Sequence, residues 1–362
     1  MSKLHDLIAL AREPSSEKRR DLLREVTDLF FVGRDPQSSA EQALFDDVLT
    51  QLSGEMEAAV RGELAARMAP ANDAPTRLIR GLAADAMIEV ARPILEQSKA
   101  LSDEDLVYVA KSRGQEHLQA ISRRDSVSEA VSEAIVERAD DDTLGVLLRN
   151  EGAELSRQAH EVAVDRAEAN PALHEAVVNR RSLPPDLLNE MYFVVEAKLR
   201  AKILERNAKI DPAALDAALA AGRARVAAQD GALPPDYADA ERDVRQLAAR
   251  KALNPKALVG MLRGGETTKF MIALGELAGI DFATVRLIMD RRELDALAIV
   301  CKAADFERAL FLTLAVLILD RDTDAMGRAK EYGDLYQNLP KESAQRTLRF
   351  WRMRRQATDL AA

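Results

Sequence analysis

The chain has 362 residues, a formal net charge of −9, one cysteine and an aromatic content of only 4%. A chain of this length is too long to fold around a single compact core, so two domains or one elongated repeat array are expected. The single thiol, Cys301, excludes an internal disulfide framework and a cysteine-rich zinc site, and the acidic balance disfavours general nucleic-acid binding, which depends on a basic surface.

The apolar residues are dominated by Ala and Leu, which favour helices because they lose little rotamer freedom there. An all-α fold is therefore predicted. Residues Met1–Leu10 lack a basic leader and a cleavage-type ending, so no signal peptide is expected. The most apolar run, Ala309–Leu319, is far shorter than the roughly 20 residues that span a bilayer. It is predicted to be a buried helix, and the protein is expected in the cytoplasm.

The N-terminal part is predicted to form amphipathic helices over Ser16–Phe31 and Ala40–Met68. Ala69–Pro75 contains two prolines, an asparagine and an aspartate, which is typical of a linker. Residues 1–75 are therefore predicted to be an N-terminal helical cap or a separate bundle.

The next segment, residues 76–230, contains an internal repeat. Residues 94–106 align with 176–188 at an offset of 82, and 128–138 align with 170–180 at an offset of 42. A period of about 41 residues lies in the range of roughly 40–47 known for HEAT and armadillo units. The sequence thus predicts a HEAT-like α-solenoid, with a helical bundle of chance similarity as the alternative.

The array is expected to open with a helix over Thr76–Val90, and Pro93 is expected to mark a kink or a break between helices. A long helix is predicted from Met191 to about Leu204. Another, from Asp211 to about Ala228, is predicted to precede a break at Asp230–Tyr237.

Residues 231–362 are predicted to form C-terminal helical repeats that end in a basic capping helix. The predicted helices are Ala238–Ala252, Pro255–Leu262, Thr267–Ala278, Phe282–Met289, Glu293–Ala303 and Phe306–Leu319. The stretch Arg263–Lys269 has the glycines of a phosphate loop but lacks the lysine directly after the second one, and no strand precedes it. A glycine C-cap followed by a threonine cap is favoured there.

Several apolar and capping stretches form a recognisable set: Val90–Leu95, Leu101–Leu106, Leu147–Asn150, Leu253–Leu258, and Gly265 leading to Phe270 and the Ala278–Ile280 turn. These stretches resemble an uncharacterised family found mainly in alphaproteobacteria and known as domain of unknown function 2336. The resemblance covers about Thr76–Leu319. It implies a HEAT-like helical fold and cytoplasmic residence, and it carries no catalytic residue.

One local pattern has the spacing of a calcium loop. Asp320, Asp322 and Asp324 alternate along the chain, and Glu331 follows at the twelfth position. The sixth position is Ala325 where a glycine usually allows the sharp turn. An acidic turn between two helices is the structural alternative.

The final segment is basic and holds the only tryptophan. Arg349, Trp351, Arg352 and Arg355 are the candidate partner-binding residues. Three interpretations remain open: a capping helix of the solenoid, an anchor for an acidic partner, and a contact to nucleic acid.

The four histidines, His5, His117, His160 and His174, have no HExxH spacing, so packing roles are favoured over metal or catalytic roles. Acid pairs such as Asp103 and Asp105 are expected at helix starts, where they complement the helix dipole. With no converging catalytic set and no cofactor motif, the leading hypothesis is a non-enzymatic scaffold or regulatory protein that binds an unidentified protein partner. The alternatives are a HEAT-like nucleic-acid-binding or base-excision enzyme and a calcium-responsive regulator.

Overall fold

The computed structural model describes residues 16–32, 39–207, 209–211, 213–214, 217–218, 221, 232–292, 294–319 and 325–359. These residues form α-helices, two short 3-10 turns and no strand, which confirms the all-α prediction. The chain divides into two compact units, Met1–Ser182 and Leu183–Ala362. This division is coarser than the three predicted domains and does not test their boundaries.

The first unit contains eleven described α-helices. They are α1 (Ser16–Val32), α2 (Ser39–Gly54), α3 (Ala58–Met68), α4 (Thr76–Ala83), α5 (Ile88–Gln97), α6 (Asp103–Ser112), α7 (Gln115–Ser122), α8 (Glu129–Arg138), α9 (Asp141–Arg149), α10 (Arg157–Ala169) and α11 (His174–Asn179). Polar N-caps start several of them; for example, Ser102 and Asp105 form a reciprocal capping box at α6.

The helices from α5 to α9 pack mainly against the next helix but one. Helix α5 packs on α3 and α7, α9 packs on α7 and α11, and α8 packs on α6 and α10. Consecutive helices also touch, as α4 touches α5 and α6 touches α7. We call α3, α5, α7, α9 and α11 the odd row, and α6, α8 and α10 the even row. Their shared core consists of the buried apolar residues of both rows.

The structural period of the first unit is shorter than the sequence alignment suggested. Helices α4, α6, α8 and α10 begin at Thr76, Asp103, Glu129 and Arg157, which are steps of 27, 26 and 28 residues. The predicted period of 41 or 42 residues is therefore wrong. The offset of 42 matches α8 with α11, which is a step of three helices, and the offset of 82 matches α5 with α11, which is a step of six.

Two further predictions for this unit need correction. The single helix predicted over Ala40–Met68 is interrupted after Gly54, and α3 starts at Ala58. The break predicted near Pro93 lies earlier, between Ala83 and Ile88, and α5 runs through Pro93. Pro93 is the sixth residue of α5, past the first turn, so it removes the hydrogen bond that a backbone N–H at this position would donate to the Glu89 carbonyl.

The second unit contains ten described α-helices. They are α12 (Pro185–Glu190), α13 (Ala197–Asn207), α14 (Tyr237–Ala249), α15 (Pro255–Arg263), α16 (Thr267–Ala278), α17 (Phe282–Asp290), α18 (Leu294–Ala303), α19 (Arg308–Leu319), α20 (Ala325–Asn338) and α21 (Lys341–Asp359). Helix α18 lies at its centre, nearly all of its apolar side chains are buried, and it packs on α20 and α21.

The helices from α15 to α19 fall within two residues of their predicted limits. The long helix predicted beyond Met191 is wrong, because a 3-10 turn at Met191–Phe193 separates α12 from α13. Most of the predicted helix from Asp211 to Ala228 lies outside the described residues. Within the described ranges, none of the helices has both the length and the apolarity needed to cross a bilayer.

Candidate protein-interaction surface

Side chains at the ends of five successive helices hold the first unit in register. Each of them donates hydrogen bonds to carbonyls at the C-terminal end of the helix two positions earlier. Arg124, after α7, bonds the carbonyls of Leu95 (2.6 Å) and Ser98 (2.8 Å) at the end of α5. We call this set the capping ladder, and its members are Arg124, Arg138, Asn150, Arg166 and Arg180.

The ladder satisfies groups that a helix cannot satisfy by itself, because the last four carbonyls of an α-helix have no intrahelical donor. A cation at this end also complements the helix dipole. Arg138 reaches the carbonyls of Ala110 (2.5 Å) and Arg113 (3.0 Å) after α6, and Asn150 reaches that of Ser122 (2.8 Å) after α7. The ladder therefore fixes the spacing within each row.

Arg180 is the most deeply buried member of the ladder, with 1% of its surface exposed. Its guanidinium donates to the carbonyls of Leu148 (3.1 Å), Asn150 (2.9 Å) and Ala153. Burial lowers the pKa of Arg180, while the nearby Glu151 carboxylate opposes that shift. A buried cation is tolerated here because several carbonyl dipoles replace its hydration.

The turns between the rows are also paired. The amide of Val127 donates to the Gly152 carbonyl at 3.1 Å, and the amide of Glu154 donates to the Val127 carbonyl at 2.8 Å. A Cβ atom added at Gly152 would overlap the carbonyl oxygen of Asp125. Glycine is therefore required at this position by close backbone approach.

The outer side of the even row carries the clearest surface feature of the first unit. Tyr108 on α6 is 63% exposed, more than any other large hydrophobic side chain in the described part of the chain. Around it, exposed carboxylates follow one another across three helices that pack side by side. We call this surface the acidic face, and it consists of Asp103, Glu104, Tyr108, Glu129, Glu133, Glu137, Asp165 and Glu168.

Part of this acidity has a purely structural explanation. Asp103, Glu104 and Glu129 lie in first helical turns, where carboxylates complement the dipole. A hydrogen bond from its own backbone amide and one from the Ser102 hydroxyl lower the pKa of Glu104, so it stays ionised.

Three other acids of the face, Glu133, Glu137 and Glu168, have no such explanation. Glu137 and Glu168 lie in the last turns of α8 and α10, where a carboxylate opposes the dipole. Glu129, Glu133 and Glu137 follow one another at intervals of four residues, and like charges at that spacing repel. None of these four glutamates forms an ion pair or a side-chain hydrogen bond with another residue that the structure describes. These four glutamates of α8 and α10 therefore carry charge that no ion pair compensates.

A family comparison places this surface in a known protein family. A family model described as an uncharacterised protein conserved in bacteria (DUF2336) matches residues 90–349. The chain belongs to this family. Comparison with curated proteins gave no match, and comparison with solved structures gave none either. The matched region of DUF2336 includes the whole acidic face and ends within α21.

The predicted partner-binding residues of the DUF2336 chain lie on α21, in two environments. Trp351 is 3% exposed and its ring packs on Tyr192 and Phe193, with centroid distances of 5.8 and 5.5 Å. Arg349 is exposed, and Arg352 is exposed while its Nε donates to the Ala278 carbonyl at 2.8 Å. Partner binding by these residues stays a prediction, and the side chain of Arg355 lies outside what the structure describes.

The calcium prediction also stays untested. Asp320, Asp322 and Asp324 lie outside the described residues, and Glu331 is exposed on α20. In the described part of the chain, no group of three or more His, Cys, Asp or Glu side chains is arranged to hold a metal ion.

The described histidines are bonded to their own unit. His117 Nε2 lies 2.8 Å from the Asp85 carbonyl, and His174 Nε2 lies 3.0 Å from that of Ala167. His160 lies between the Ser156 carbonyl (Nδ1, 2.9 Å) and the Ser182 hydroxyl (Nε2, 3.2 Å). Desolvation lowers the pKa of His160. These contacts agree with packing roles.

The structure of Arg263–Lys269 agrees with the predicted glycine C-cap but not with the predicted threonine cap. Gly264 is the C-cap of α15, and Gly265 has a φ of 75°, which glycine adopts without strain. The predicted threonine cap is wrong, because Glu266 is the N-cap residue of α16 and Thr267 is already helical.

The acidic face was missed by the sequence reading. Its signal was the spacing of Glu129, Glu133 and Glu137, but a local charge run does not reveal which helices lie beside it.

Proposed function

We propose that the protein is a non-enzymatic interaction protein that binds a partner protein through the acidic face. The observation that carries the proposal is the combination of an exposed tyrosine on α6 with exposed glutamates on α8 and α10 that form no ion pair with the residues the structure describes. Tyrosine is enriched at protein interfaces because it buries a large rigid ring and keeps a hydroxyl for hydrogen bonding. Surrounding carboxylates steer a basic partner toward it.

We further propose that the first unit is an α-solenoid of short helix pairs, HEAT-like in that successive pairs stack in register. Packing between every second helix and the repeated capping ladder support this arrangement. A pair of helices cannot bury its apolar faces alone, so stacking supplies the core and leaves extended outer rows. Its step of 26 to 28 residues is shorter than the roughly 40–47 residues of HEAT units.

The alternative functions have less support. A nucleic-acid enzyme needs a basic groove, whereas the most charged surface of the first unit is acidic. The histidines of the described part are hydrogen-bonded to backbone carbonyls and offer no free pair for acid and base chemistry. A calcium-responsive regulator would show heat on titration with millimolar calcium. A cytoplasmic location is part of this proposal and follows from the lone cysteine.

The test is affinity capture from a lysate of the source bacterium with three forms of the full chain. The first is the wild type, the second combines Tyr108→Ala with Glu133→Arg, and the third is Glu116→Arg. Glu116 is an exposed acid on α7 in the odd row, so its reversal changes net charge without touching the acidic face.

We expect a protein that the wild type and Glu116→Arg retain and the acidic-face variant loses. Unchanged far-UV circular dichroism and melting temperature would show that all three forms are folded. Capture that does not depend on Tyr108 and Glu133, or a substrate-dependent activity in a chain that captures nothing, would contradict the proposal.

A further inference from the structure

A basic surface in the second unit complements the acidic face of the first. Residues 343–352 of α21 include three arginines and no acid, and the sequence continues with Arg354 and Arg355. The helix packs on α18 through one side, where Ala344, Thr347, Leu348 and Trp351 are buried. The opposite side therefore presents its arginines to solvent.

Arg349 is the clearest member of this basic surface. It is exposed, and it forms no ion pair or hydrogen bond with the residues that the structure describes. Arg346 and Arg352 lie three residues to either side and are also exposed. Arg352 is tied to the Ala278 carbonyl through Nε only, and a guanidinium has further N–H donors. We call Arg346, Arg349 and Arg352 the basic strip.

The basic strip and the acidic face match in kind and in extent. The three carboxylates of α8 extend over two helical turns, from Glu129 to Glu137, and the arginines of the strip extend over nearly two turns, from Arg346 to Arg352. Arginine binds carboxylates through a planar fork of donors, and such pairs are stronger than neutral hydrogen bonds. Both surfaces lie on helices, so the backbone loses little conformational freedom when they meet.

We infer that the acidic face binds the basic strip of a second copy of this chain, giving head-to-tail self-association. This inference rests on the proposed function, since it names a partner for the same face. The two contacting surfaces differ, so the contact is heterologous and can continue into rings or chains of molecules. Association through exposed charges is weak and falls as salt screens them, because the Debye length shrinks to about 3 Å at 1 M salt.

Sedimentation velocity of the full chain over a range of concentrations tests the inference. We expect larger species as concentration rises at about 50 mM salt and their loss at about 500 mM salt, where screening is much stronger. Glu133→Arg makes the acidic face more basic, and Arg349→Glu makes the basic strip more acidic. Each variant alone should raise the dissociation constant at least about tenfold, since each places like charges in contact.

Mixing the two variants gives the decisive result. The unaltered acidic face of Arg349→Glu then meets the unaltered basic strip of Glu133→Arg, and the two altered surfaces also carry opposite charges, so association should return. Glu116→Arg is the matched control, because it changes net charge by the same amount on the odd row and should associate as the wild type does.

Three results would overturn the inference: a chain that stays monomeric at every concentration at low salt, association that does not return on mixing, or an equal loss in the Glu116→Arg control. A monomeric chain that still captures a foreign protein through Tyr108 and Glu133 would overturn only this inference and leave the proposed function intact. Circular dichroism of each variant checks that it is folded.

Discussion

Arg180→Met should be among the most destabilising single changes in the first unit. The substitution keeps most of the apolar side-chain volume but removes a buried cation that donates to the carbonyls of Leu148, Asn150 and Ala153. Hydrogen bonds from a charged donor contribute about 1.5–3 kcal/mol each to stability. The methionine recovers part of the loss as apolar burial, so we expect a decrease of about 3–5 kcal/mol in the free energy of unfolding.

Urea unfolding followed by circular dichroism measures this loss, and amide hydrogen exchange in the last turn of α9 locates it. Arg181→Met is the control, because Arg181 is exposed and the change should stay within about 0.5 kcal/mol. Arg180→Lys keeps the charge but not the planar fork of donors, so its stability should lie between that of Arg180→Met and that of the Arg181→Met control. A stability of Arg180→Met equal to that of the control would refute the structural role of the ladder.

Three further outcomes are expected. Gly152→Ala should lower the free energy of unfolding by about 1–3 kcal/mol because its Cβ would overlap backbone, whereas Gly81→Ala, in open space within α4, should raise it by about 0.5–1 kcal/mol in the same urea titration. Folding lowers the pKa of His160 below its unfolded value of 6.5, so the unfolded chain binds more protons below about pH 6.5. The contribution of His160 to stability should therefore be fully present above that pH and be lost as the pH falls. The free energy of unfolding should fall less steeply with pH in His160→Gln, and equal slopes in the two proteins would contradict this prediction. Burial raises the pKa of the Cys301 thiol, so a thiol reagent should label the native protein only as fast as it unfolds, and rapid native labelling would contradict the burial.

Local signals in the sequence were enough to predict many of the individual helices. Asn254 followed by Pro255 marks the start of α15, Asp281 caps α17, and Gly279 ends α16 in the left-handed conformation. Each of these features acts within one turn of the chain, so a single sequence reveals it. The helix limits between α15 and α19 follow from such caps.

The repeat length could not be predicted in the same way, and the capping ladder explains why. Both rows use the same device, a donor at the end of each helix that reaches back two helices. Arg138 ends an even-row helix and Arg180 follows an odd-row helix, yet they align at an offset of 42 residues. Sequence similarity therefore recurs at each helix, and an alignment that spans three helices crosses from one row to the other.

The acidic face depends on contacts that no local pattern contains. Glu133 and Asp165 lie on helices that pack together, α8 and α10, and the sequence does not state that packing. The tryptophan shows the same limit in reverse. Its helical position was correct, but whether the ring of Trp351 faces solvent or the aromatic pair of the second unit depends on non-local packing.

The ladder and the acidic face contribute differently to the stability of the first unit. The ladder attaches each helix to its row through carbonyls at helix ends, and the core fills the space between the rows, so neither requires the glutamates of the acidic face. Carboxylates at intervals of four residues cost about 0.2–0.5 kcal/mol per pair, and Glu137 adds an unfavourable term at the end of α8. Of these glutamates only Glu129, at the start of α8, gains a favourable interaction with the helix dipole. A surface that lowers stability without a structural return is where a binding function is expected, since function is commonly retained at the expense of stability.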